Sequence, residues 1–115
     1  MQQVAIPVPF KYNVHAITIT TKNREVVIED PKKIGEVSEY FSTVIWKLED
    51  DDISADDSCD VWLDFHNNTL VGIDYDTYIA LWISKTNKNN SPFTASVTEE
   101  FVNLLMVWMN DNSQN

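Results

Sequence analysis

Only two glycines, Gly35 and Gly72, occur in the 115-residue chain. A phosphate cradle of the Gly-rich kind needs several residues without a Cβ side by side, so such a cradle is excluded. The single cysteine, Cys59, can close no internal disulfide, and a free thiol fits a reducing cytoplasm, which is the expected compartment. Long hydrophobic runs are missing too: Leu104 to Met109, unsurpassed in length in this chain, falls far short of the ~20 residues that cross a bilayer, so no membrane association is expected. The N-terminus MQQVAIPVPF has neither a basic stretch nor an apolar core of ~7 to 15 residues, so no export is expected either. The most telling absence is local. Between Lys47 and Lys85 there is no lysine or arginine at all.

That same interval holds ten acids, Glu49, Asp50, Asp51, Asp52, Asp56, Asp57, Asp60, Asp64, Asp74 and Asp76, and the rest of the chain is neutral with eight acids against eight bases. The whole net charge of −10 therefore belongs to residues 48–84. Seven of the acids lie in the thirteen residues LEDDDISADDSCD, Leu48 to Asp60. Like charges gain nothing from being crowded, so such a run is either merely solvated or meets something positive. Direct contact with a nucleic-acid backbone is disfavoured, because it needs the opposite sign.

The remaining sequence reads as folded elements of one domain, residues 1–115, with 43% hydrophobic content to supply its core. VHAITIT (14–20) and EVVIE (25–29) are β-branched and flank the polar turn TKNR, a hairpin. Asp30-Pro31 supplies an N-cap and a first-turn proline, and Ile34, Val37, Phe41, Val44 and Leu48 recur at helical spacing, predicting a helix from Pro31 to Leu48. Gly35 within it costs about 0.8–1 kcal/mol of helix propensity relative to alanine and predicts a packing reason for its presence. The acidic stretch follows as a loop. DVWLDFH (60–66), TLVGIDY (69–75) and TYIALWIS (77–84) then form a meander, with Asn67-Asn68 as a two-residue turn. Ser96 to Glu99 has capping-box spacing, and Val97, Phe101, Leu104, Leu105 and Trp108 make the apolar face of a second helix. Val102, Met106, Val107 and Met109 widen that face, predicting cover on more than one side. The order ββαβββα defines an α+β fold, with an antiparallel sheet of about five strands and two helices mainly on one face.

No cofactor, metal or catalytic centre is expected. Counted from Asp50, a calcium-binding EF-hand loop would need Gly at position 6 and Glu at position 12, where Ala55 and Val61 stand. Cys59 lies among Asp57, Ser58 and Asp60, whose charges oppose a thiolate. Asp64 and Asp74 come with no oxyanion element or substrate-binding motif.

Strand parity points to a surface instead. If Val61, Leu63, Phe65, Val71, Ile73, Tyr75, Ile79, Leu81 and Ile83 face the helices, the other side shows Trp62, Asp64, His66, Asp74, Tyr78 and Trp82. One reading leaves that side open as a protein interface, with the aromatics as anchors and the acids steering a basic partner. The other covers Trp62 and Trp82 with the N-terminal VAIPVPF or with a helix. The interface reading makes Asp50, Asp51, Asp52, Asp56, Asp57, Asp60, Trp62, Asp64, Asp74, Tyr78 and Trp82 the candidate partner-binding residues.

A small acidic α+β chain with this charge segregation resembles the immunity proteins of bacterial polymorphic and contact-dependent toxin systems. It is most similar to those that protect against deaminase-type toxins, in the run from PKKIGEVSEYFSTVIWKLEDDD through VWLDFHNNTLVGIDYDTYIALWIS to SVTEEFVNLLMVWM. The likeness is one of element pattern and covers most of the chain. It implies a cytoplasmic inhibitor that binds a toxin domain, plugging a basic active site or an adjacent surface. The alternative is a phage or mobile-element protein whose carboxylates mimic nucleic acid and block a DNA-binding protein. A mimic needs charges laid out like phosphates, whereas ten acids in one third of the chain suit a single patch.

Overall fold

Alternation decides the first hairpin. In β1 (Ile17–Thr20) the isoleucines are buried, and in β2 (Glu25–Ile28) Val26 and Ile28 are buried while Glu25 and Val27 are exposed. Inward residues pair with inward ones, Ile19 with Val26, and outward with outward, Thr18 with Val27. The computed structural model, which describes residues 14–48, 59–84 and 93–112, continues from this hairpin into α1 (Pro31–Thr43). The carboxylate of Asp30 accepts a bond from Lys32 N at 3.1 Å, Pro31 takes the first turn, and the helix buries Ile34, Val37, Ser38 and Phe41.

Helix α1 stops five residues before Leu48, where its apolar spacing would have ended it. The run Ser42-Thr43-Val44-Ile45 explains why, since hydroxyl and β-branched side chains compete with helical backbone bonds or crowd the preceding turn. The freed carbonyls find side-chain donors: Thr43 Oγ1 donates to Tyr40 O at 2.7 Å and the buried Trp46 Nε1 to Phe41 O at 3.0 Å. The chain then enters a short strand, β3 (Lys47–Leu48).

Beyond the acidic stretch come β4 (Val61–Asp64), β5 (Thr69–Asp74), β6 (Ile79–Ser84) and β7 (Phe93–Ser96), then α2 (Glu99–Asn112). Among the described residues the sheet has seven antiparallel strands in the order β2-β1-β4-β5-β6-β7-β3. The five expected strands thus stand side by side, and β7 and β3 extend them at one edge. Ser96 ends a strand instead of capping a helix. The cap of α2 is Thr98, whose Oγ1 accepts from Phe101 N at 3.2 Å and whose own N–H donates to the Tyr40 hydroxyl at 2.9 Å. That contact ties α2 to α1, and the rings of Tyr40 and Phe101 stack with centroids 4.1 Å apart.

The helices share one core with the inward side of the sheet: Val37 and Phe41 of α1 and Phe101, Leu105 and Trp108 of α2 cluster with Ile19, Leu63, Val71 and Ile73. This is the α+β arrangement with the helices on one face. The wider apolar face of α2 is only partly used, because Val102 and Met109 are buried while Met106 and Val107 are 44% and 52% exposed.

Parity changes within the meander. Leu63 pairs with Val71 and Val61 with Ile73, so inward residues of β4 and β5 are odd-numbered. The next turn places four residues, Tyr75 to Tyr78, between the paired Asp74 and Ile79. An even number hands the inward side to the other parity, so Val71 pairs with Trp82 and Ile73 with Ala80. Trp82 therefore faces the helices, 5.5 Å from the Trp46 ring and 5.0 Å from that of Phe93, and Ile79, Leu81 and Ile83 turn outward. This reverses the expected assignment of β6, where residues of both parities are apolar and alternation cannot choose between them. Tyr78, at a φ of 56°, also packs against the helix-side core rather than lying on the outer face, and Tyr75 packs there as expected.

Gly35 and Gly72 differ sharply in their surroundings. A Cβ on Gly35 would meet nothing within 4 Å, so close packing does not demand glycine there, contrary to expectation. A Cβ on Gly72 would come within 2.6 Å of Cys59 Sγ and 2.8 Å of the Trp62 ring. Chemical denaturation should find Gly35→Ala stabilising by about 0.8–1 kcal/mol and Gly72→Ala destabilising by about 1–3 kcal/mol, as overpacking does. Trp82→Ala removes a large ring from the helix-side core and should cost about 3 kcal/mol in the same measurement.

Candidate partner-binding face

The outward side of the sheet is built in rungs. Glu25, Thr20, Trp62, Gly72, Leu81 and Thr94 follow one another across adjacent strands, and Val27, Thr18, Asp64, Leu70 and Ile83 make the next rung. Trp62 stands opposite Gly72, whose missing side chain lets the indole lie across β5 in the direction of Leu81. Leu81 and Ile83 are 5% and 6% exposed, so this side of the sheet has apolar burial of its own, apart from the core under the helices.

Beside Trp62 lies a groove of about 480 Å³ whose lining includes Thr18, Glu25, Asp64, His66, Leu70 and Ile83. His66 is held over it from two directions. Its Nε2 shares a 2.8 Å hydrogen bond with Thr18 Oγ1, and its backbone N donates to Asp64 Oδ1 at 2.9 Å. The second Asp64 oxygen lies 3.9 Å from His66 Nδ1. The turn that carries His66 is broader than the two residues Asn67-Asn68, with left-handed backbone at both His66 (φ 60°) and Asn68 (φ 73°). Thr18, His66 and Asp64 run in the order of a hydroxyl, base and acid, but β1 is paired on both sides with β2 and β4, so its backbone donors serve the ladders.

Three of the candidate carboxylates have structural tasks. Asp60 Oδ2 accepts from Tyr75 N at 2.7 Å while Asp60 N donates to Ile73 O, and Asp74 Oδ1 accepts from Asp76 N at 2.9 Å. Asp64 holds the His66 turn in the same manner. Of the sequence candidates, the fold brings Trp62 and Asp64 together in the groove and sets Asp60 and Asp74 about the Tyr75–Tyr78 turn. It removes Tyr78 and Trp82 to the other side. Asp50, Asp51, Asp52, Asp56 and Asp57 lie outside the described residues. Thr18, Thr20, Glu25, Leu70 and Ile83 were not singled out from sequence as part of this surface. For the first three a signal existed, since ITIT alternates cleanly and the hairpin register then places Glu25 beside Thr20.

Among the described residues, no group of three or more His, Cys, Asp or Glu side chains could hold a metal ion, and no helix is long and apolar enough to cross a membrane. No family model, curated protein or solved structure matches the chain.

Burial raises the Tyr75 phenol above its ordinary pKa, and the nearby Asp60 carboxylate raises it further. A group whose folded pKa exceeds its unfolded value contributes stability that is intact below the unfolded pKa, about 10 for tyrosine, and is lost as pH rises through the folded one. Denaturation midpoints measured from neutral pH to pH 11 should therefore fall less steeply above about pH 10 for Tyr75→Phe than for the parent chain.

Proposed function

We propose that the chain is an acidic binding protein that neutralises a basic protein partner, acting as an immunity protein that inhibits a cognate bacterial toxin domain. The observation that carries this reading is the segregation of charge: ten acids and no lysine or arginine between Lys47 and Lys85, in the same part of the chain as the strands β4, β5 and β6. A partner approaching that region meets a field of one sign, which speeds encounter and rejects acidic proteins. The field alone confers rate and selectivity more than affinity, so an adhesive element is needed as well. Trp62, half-buried on the outward side and flanked by Asp64, has the amphipathic character of such an anchor.

Two hollows near the helices fit a basic partner less well. Among the described residues, one of about 650 Å³ at the end of α1 has Lys47 as the charged group in its lining, and one of about 380 Å³ beside α1 has Glu29 and Glu39 but no Phe, Tyr or Trp.

The test is kinetic. Replacing Asp50, Asp51, Asp52, Asp56 and Asp57 with Asn or Ser should slow association with a toxin domain encoded beside the chain's own gene by roughly tenfold at low salt and flatten its salt dependence. Stability should barely change. An unchanged association rate would remove steering by the acidic stretch.

A further inference from the structure

The geometry points to a specific occupant of the groove beside Trp62: the side chain of an arginine presented by the basic partner. This inference rests on the binding reading above and names the chemistry that the outward face recognises.

The groove offers three surfaces suited to different parts of that side chain. Leu70 and Ile83, neighbours on one rung, supply an apolar floor for the methylene stem. The Trp62 indole is part of the wall, and a guanidinium laid on an aromatic face gains cation–π attraction. Asp64 and Glu25, one rung apart and two strands apart, place negative charge at the end of the stem, and among the described residues the lining holds no lysine or arginine. Asp64 accepts the backbone N–H of His66 through Oδ1 and has Oδ2 3.9 Å from His66 Nδ1, and an anionic carboxylate, with about four lone-pair sites, can take a guanidinium donor in addition to such contacts. The contact between Asp64 and the His66 turn fixes the carboxylate before any partner arrives, which lowers the ordering cost of binding.

Arginine fits better than lysine because its planar fork can stack on the indole and present donors at its edge at the same time, whereas an ammonium is a compact, strongly hydrated point charge. The fold already uses a cation over an indole elsewhere: Lys33 Nζ sits 5.6 Å from the Trp108 ring centre. Among the described residues, the two hollows near the helices join no indole to a carboxylate.

The test uses the full chain labelled with ¹⁵N and three blocked tripeptides, Gly-Arg-Gly, Gly-Lys-Gly and Gly-citrulline-Gly, titrated to about 50 mM because a single side chain binds weakly. The arginine peptide should produce saturable shifts at the Trp62 indole N–H and at the amides of Leu70 and Ile83. The lysine peptide should bind roughly fivefold more weakly, and the uncharged citrulline peptide should give no saturation. Asp64→Asn combined with Glu25→Gln should weaken the arginine peptide roughly tenfold, and the asparagine keeps an oxygen for the His66 N–H. Trp62→Phe, which retains an aromatic ring should Trp62→Ala fail to fold, should weaken it about threefold. Citrulline binding as well as arginine, or no response at Trp62, would overturn the inference. Saturable shifts confined to residues 50–60 would overturn it while leaving the basic-partner reading intact. Arginine binding in the groove together with an unchanged association rate after neutralising the acidic stretch would uphold the groove and count against steering.

Discussion

Four residues, Tyr75 to Tyr78, decide which tryptophan the sheet shows to the outside. Because an even number of residues separates the paired Asp74 and Ile79, the inward side passes from Val71 and Ile73 to Trp82 and Ala80. With an odd number, Leu81 and Ile83 would lie under the helices and Trp82 would join Trp62 on the outer side. The turn is held by two backbone bonds, Tyr78 N to Asp74 O and Val97 N to Tyr78 O, and by two carboxylates, Asp60 on Tyr75 N and Asp74 on Asp76 N. Core composition and the Ile83 side of the outer groove follow from that register, while Trp62 faces outward by the parity of β4.

The same turn joins stability to charge. Asp60, Asp64 and Asp74 belong to the acid-only interval, yet each accepts a backbone N–H bond in a turn of the meander. An amide would satisfy the hydrogen bond in each case but not the field. Part of the acidity is thereby fixed to the ends of β4 and β5, next to the surface that carries Trp62, instead of being spread over long mobile side chains. A rigid acid beside an aromatic plane is a better recognition element than a solvated one, since less ordering is required when a partner binds.

The first half of the fold was legible because its signals agree: ITIT and EVVI alternate with period two, and Asp30-Pro31 marks the helix start. Where local signals conflict, spacing and structure diverge. Val44 and Leu48 extend the helical spacing of α1, but the β-branched residues around them favour a turn and the edge strand β3. Phe93 to Ser96 follows polar residues and is too short for alternation to show, so β7 was hidden and the cap of α2 moved from Ser96 to Thr98. IALWIS is apolar on both sides, so its orientation was set by turn length, which sequence did not reveal. The groove was half legible: Trp62 and Asp64 followed from the parity of β4, whereas Leu70 and Ile83 depended on the register beyond it.

The most direct test is to ask which rings the tryptophans touch. In a nuclear Overhauser spectrum of the folded chain, the Trp62 indole protons should show cross-peaks to the Gly72 α-protons, and the Trp82 indole should show them to Trp46 and Phe93. Those contacts place the two rings on opposite sides of the sheet, with Trp62 alone beside the acidic groove. Cross-peaks between Trp62 and Trp82 themselves would contradict the account, because they would put both tryptophans on one face and return Leu81 and Ile83 to the core.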